Sequence, residues 1–246
     1  MQSVVTLSFN QNIFMKKIIL LIAIGLTLLS CSKKEEGNLR ISGEIKGLSQ
    51  GKLYIQKLQD TVLKPIKVIK FDGNSKFETY LNIQEPEVLY VYLDRGTSNS
   101  LDNNIAFFAE QGEITIHSDV NNFIAKAEVN GNKNQELWNE YKKVISNFNQ
   151  KSLEFVEQKI EAQIKGDTQK ADSIQRLEDK ILVRKYQYSI NFCMNNKEHE
   201  ITPFIALSEI YDANPIYLDS IRKVLPPSIS ESKYGKIFSE YLDEIK

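Results

Sequence analysis

Val129-Asn130-Gly131 is the point at which the chain changes period. Upstream, apolar residues fall on every second position. Leu53 and Ile55 alternate with Lys52, Tyr54 and Gln56, and Ile114 and Ile116 alternate with Glu113, Thr115 and His117. That alternation sends the two sets to opposite faces of a strand. Downstream the spacing becomes three and four, with Leu137, Tyr141, Val144, Ile145 and Phe148 on one helical stripe, continued by Phe155, Val156, Ile160 and Ile164. The expected class is α+β: an antiparallel β-sandwich-like N-terminal domain over residues 39–131, then a helical region over 132–246 made of a hairpin and short helices.

Strands are expected near Leu39 to Ile45, Lys52 to Lys57, Ile66 to Phe71, Lys76 to Leu81, Val88 to Leu93, Ile105 to Ala109, Glu113 to Ser118 and Phe123 to Val129. Turn residues such as Gly47, Asp72-Gly73-Asn74 and Gly112 separate them. Short strands at that spacing suit a sandwich or barrel. Val88-Leu89-Tyr90-Val91-Tyr92-Leu93 is apolar on both faces, which predicts a central strand covered twice.

In the helical region, Gly166-Asp167-Thr168 supplies a stop and a fresh cap, and Ile174, Leu177, Ile181, Leu182 and Tyr186 form the return stripe. Thr202-Pro203 and Asn214-Pro215 each place a capping side chain before a proline at the first helical position, and Pro226-Pro227 ends the second helix. Trp138 is expected to dock the long helix on the sheet.

The beginning of the chain carries an address. Met15-Lys16-Lys17, an uncharged run from Ile18 to Leu29, and Ser30-Cys31 have the order of a secretory signal, too short for the roughly 20 residues that span a bilayer. Leu28-Leu29-Ser30-Cys31 resembles the lipobox of bacterial lipoproteins. That resemblance implies cleavage of residues 1–30 and lipid on Cys31; ordinary cleavage near Ser30, leaving a free thiol, is the alternative. Met1 to Phe14 fit no part of a signal, and Met15 is the expected natural start. Residues 31–38 would be a solvated tether. Its Lys34-Glu35-Glu36 is similar to a signal some Bacteroidetes use to send lipoproteins to the cell surface, although a generic polar leash has the same composition.

Composition excludes some functions. The 246 residues carry a net charge of −1, and loss of Lys16 and Lys17 with the leader makes the remainder more acidic, which is contrary to nucleic-acid binding. Cys31 and Cys193 are the only cysteines, so a lipidated Cys31 leaves no internal disulfide.

Few residues carry candidate chemistry. Cys193 shares a stripe with Leu182, Tyr186 and Ile190; it reads as a core thiol or, if exposed and acidified, as a redox thiol. Tyr54, Tyr80, Tyr90 and Tyr92 read as core or as an aromatic face for a glycan or peptide. His117 and His199 lie in polar surroundings, with no cysteine pair to complete a zinc site. No catalytic residue, metal site or cofactor is expected.

A family resemblance rests on Asp72-Gly73 with Phe77, Glu85-Pro86-Glu87-Val88-Leu89-Tyr90, the run Phe107 to Ile116, and Val129-Asn130-Gly131. These look like the domain of unknown function that begins many Bacteroidetes envelope lipoproteins. Pro203 and Ser232-Lys233-Tyr234-Gly235-Lys236 look like the helical connector of the same proteins. In those relatives a thioredoxin-like module follows, of thiol:disulfide interchange or peroxiredoxin type; here the sequence stops at Lys246 and holds no Cys-x-x-Cys. The expectation is a lipid-anchored protein of the cell envelope, at the outer membrane and open to surface exposure. It would act as a non-catalytic binding or interaction module for an unknown protein or ligand. The alternative is an accessory subunit of an envelope thiol-disulfide system whose thioredoxin-like module is on another chain.

Overall fold

The structure is a computed structural model that describes residues 36–94 and 104–245. Residues 1–35, which hold the expected leader, Cys31 and most of the expected tether, lie outside the described residues. Gly37 onward forms one compact unit, in which strands precede helices as the change of period requires.

The strands are β1 (Leu39–Lys46), β2 (Gln50–Gln59), β3 (Val62–Asp72), β4 (Lys76–Leu81), β5 (Glu87–Leu93), β6 (Asn104–Ala109), β7 (Gly112–Asp119) and β8 (Glu128–Asn130). They form two four-stranded sheets, ordered β4-β1-β7-β8 and β3-β2-β5-β6. Leu39, Ile41 and Ile45 from the first sheet meet Leu53, Ile55, Leu89, Val91 and Phe107 from the second in a shared core. The alternation read in the sequence is the pleat of these strands, one face buried by the opposite sheet.

Three expectations need correction. The sheets are not wholly antiparallel, because β1 and β7 pair in parallel, with Leu39 opposite Gly112 and Ile41 opposite Ile114. All of the second sheet is made in the intervening chain, which supplies the long crossover that a parallel pair needs. Phe123 to Ala127 form no strand; Phe123 plugs the core from a turn while Ser118 Oγ donates to its carbonyl at 2.5 Å. The tether also ends sooner than expected, since Asn38 Nδ2 donates to Ile83 O and Ile83 N donates back to Asn38 Oδ1, each at 2.7 Å.

The helices are α1 (Lys133–Ile164), α2 (Thr168–Asn195), α3 (Ile201–Ser208), α4 (Pro215–Val224), α5 (Pro227–Ser230) and α6 (Lys233–Glu244). The first two form the expected hairpin, and α1 runs unbroken for about 48 Å at 1.5 Å per residue over its 32 residues. Asp167 caps α2 by accepting from Lys170 N at 3.0 Å, and Asn214 caps α4 by accepting from Ile216 N at 3.0 Å.

The helices roof the second sheet. Val88 and Phe108, whose neighbours Leu89 and Phe107 point into the sandwich, point the other way into a core with Leu137, Trp138, Tyr141, Ile205, Leu218 and Phe238. The strand β5 is therefore central and buried on both faces, as its sequence predicts. Trp138 docks α1 by an edge contact with Phe108 at 6.3 Å and another with Phe204 at 5.2 Å.

Amides from the first turns of α1 grip β6, the edge strand. Gln135 Oε1 accepts from Phe108 N at 2.8 Å, and Asn132 Nδ2 donates to Phe108 O at 2.9 Å. Asn134 Nδ2 donates to Glu110 Oε2 at 2.7 Å, while its Oδ1 accepts from Ile201 N at 2.9 Å. That last bond corrects another expectation. Thr202 does not cap α3; the helix begins at Ile201, two residues earlier than expected, its first amide is taken by Asn134, and the Thr202 hydroxyl donates to Asn196 O at 2.7 Å.

The hairpin stripes are only partly buried. Phe155, Ala162, Ala171 and Ile174 make a small separate core, whereas Ile160, Ile164, Leu177 and Leu182 are exposed. Two helices share a single interface, so a wide apolar stripe leaves its flanks uncovered where no third element packs.

Candidate functional site

One face of α2 presents Val183, Tyr186, Gln187, Ile190 and Asn191 at the three-and-four spacing that aligns side chains along a helix. Opposite it the turn Asp212-Ala213-Asn214 leads into α4 and Tyr217. The two segments enclose a groove of about 610 Å³, within the usual size range of small-molecule sites. The corner is held from both sides. Tyr186 Oη donates to Asp212 Oδ1 at 2.6 Å, and Tyr241 Oη donates to Tyr211 O at 2.7 Å. The Asp212 hydrogen bond, with partial burial, pushes the Tyr186 phenol up to about 12. Val183 and Tyr217 are each 54% exposed, leaving apolar surface open to an incoming group.

The residues singled out in the sequence lie elsewhere. Cys193 is fully buried, its Sγ donating to Thr202 O at 3.7 Å, and burial pushes its thiol well above the usual range. Exposure and acidification, which a redox thiol requires, are both absent there. Tyr54, Tyr90 and Tyr92 share the outer face of the second sheet. Tyr54 lies opposite Tyr92 with ring centroids 6.1 Å apart, whereas Tyr90 packs under the helices. Tyr80 does not join them; it lies on β4 of the other sheet and donates to Glu78 at 2.7 Å. His117 is exposed and lines a shallow hollow of about 380 Å³ with Lys46, Asp119, Lys126 and Glu128. Among the described residues no three His, Cys, Asp or Glu side chains are placed to share a metal ion. No helix of the described residues is long and apolar enough to cross a membrane.

A polar junction lies where α3 and α6 begin. Glu200 is 9% exposed, and its Oε2 has no hydrogen-bond partner. Burial first, then the nearby Glu85 and Glu110 carboxylates, raise its pKa above the ordinary 4.5, against a hydrogen bond with Ser232 that lowers it. Because the folded pKa is the higher one, this group costs no stability below about pH 4.5 and an increasing amount as pH rises through the folded value. Glu200→Gln should therefore match the parent in urea unfolding at pH 4 and exceed it at pH 8. Equal gains at both values would show that charge is not the cause.

The fold defines a class: a two-sheet sandwich with one face roofed by helices and an open groove on the helical side. Residues 39–138 match the family model described as a domain of unknown function (DUF4369). No match was found among curated proteins or among solved structures. The matched segment runs past the last strand to Trp138, so it takes in the amide grip on β6.

The groove was missed in the sequence because its halves are separated by the whole of α3. The available signal was the set Val183, Tyr186 and Ile190, lying off the face that α2 turns to α1.

Proposed function

We propose that this chain is a non-catalytic binding module of the cell envelope, held to the outer membrane through lipid on Cys31, with the α2–α4 groove receiving its ligand. The observation that supports the binding role is the groove itself: an open apolar hollow with several polar side chains, on a corner braced from α2 and α6. Titrating the isotope-labelled full chain with benzyl alcohol, a neutral aromatic probe, should shift amide signals within 183–191 and 212–217. Shifts scattered over the molecule would remove the groove from consideration.

The anchor is proposed from Leu28-Leu29-Ser30-Cys31. Fatty-acid labelling in cells should mark the parent and not Cys31→Ser, and the variant should leave the membrane fraction. A variant that still sediments with membranes would refute the anchor. The rival reading, an accessory to a thiol-disulfide system, draws no support from Cys193, whose thiol is enclosed.

A further inference from the structure

The groove carries a charge asymmetry. Its lining holds one carboxylate, Asp212, and no lysine, arginine or histidine. Asp212 Oδ1 is occupied by the Tyr186 hydroxyl, which fixes the carboxylate, and among the described residues no cationic side chain pairs with it. Two aromatic rings, Tyr186 and the exposed Tyr217, line the same space, together with the apolar side chains of Val183 and Ile190. A carboxylate beside tyrosine faces is the chemistry that holds an ammonium group: the ring quadrupole and the carboxylate attract it, and the apolar walls take its hydrocarbon. An anionic ligand would meet Asp212 with nothing to offset the repulsion.

Building on the groove as the binding surface, we propose that its ligand is a small organic cation, an amine or quaternary ammonium with an apolar body. The ammonium lies against Asp212 and the tyrosine rings, and the body lies along Val183 and Ile190. Gln187 and Asn191 line the α2 side of the groove and are available to polar substituents.

The test compares benzyltrimethylammonium with benzyl alcohol on the full chain, by titration calorimetry and amide shift mapping. The cation should bind about tenfold more tightly than the alcohol, with shifts at 183–191 and 212–217. Asp212→Asn and Tyr217→Leu should each weaken the cation by more than they weaken the alcohol, removing most of that advantage. Circular dichroism matching the parent would show that both variants fold. If the alcohol maps to the groove and the cation binds no better, or Asp212→Asn keeps the preference, the ligand class is wrong and the groove stands. If neither probe perturbs the groove, both readings fall.

Discussion

Phe108→Ala should cost the folded state about 3–5 kcal/mol, a large part of the roughly 5–15 kcal/mol that stabilises a typical domain. Phe108 is fully buried, and its ring makes edge contacts with Trp138, Phe204 and Tyr234, residues of α1, α3 and α6. Removing it empties the point where three helices meet the sheet. The single tryptophan, Trp138, reports on that point directly. In Phe108→Ala its native-state emission should shift to the red; in Phe107→Ala, whose ring fills the sandwich interior instead, stability should fall with little change in native emission. A Phe108→Ala protein that loses less than about 1 kcal/mol in urea, against the usual cost of such a cavity, would mean that the helices do not rest on this ring.

Gly131→Ala should be as damaging, for a different reason. The residue has φ +152°, and a Cβ there would lie 2.1 Å from Glu113 O and 2.9 Å from Ile114 Cδ1. The first of these is backbone of β7, which cannot retreat without breaking its ladder. Strain and clash together should cost at least about 3 kcal/mol. Gly73→Ala is the control. It also has positive φ, +79°, but nothing lies within 4 Å of a Cβ there, so only the left-handed conformation is penalised, by about 1 kcal/mol. Equal losses in the two variants would show that the close approach to β7 is irrelevant.

Several local patterns in the chain were reliable guides to structure, whereas pairings between distant segments were not legible. Lys76–Leu81 forms a strand with the bounds its alternation predicts, and the Asp167 and Asn214 caps fall where their sequences place them. Each of those depends on neighbours within a few residues. The parallel pairing of β1 with β7 joins segments more than seventy positions apart, and alternation specifies a face without naming a partner. Thr202-Pro203 has the composition of a cap, but Asn134 takes the helical amide from another element. Ile164 fits a helical stripe and is 80% exposed, because periodicity does not show whether a third helix will arrive. The groove suffered twice over: its halves are distant, and Val183 and Tyr217 are individually ordinary surface residues.

The grip of Gln135 and Asn132 on Phe108 bears on where this polypeptide can be divided. A fragment ending at Gly131 would keep every strand described here, yet the peptide group of Phe108 would face outward with donor and acceptor both open. An open outer strand of that kind recruits strands from other molecules. Truncation at the last strand should accordingly yield oligomers or precipitate, while a fragment carried on through Trp138 retains the amides that close Phe108.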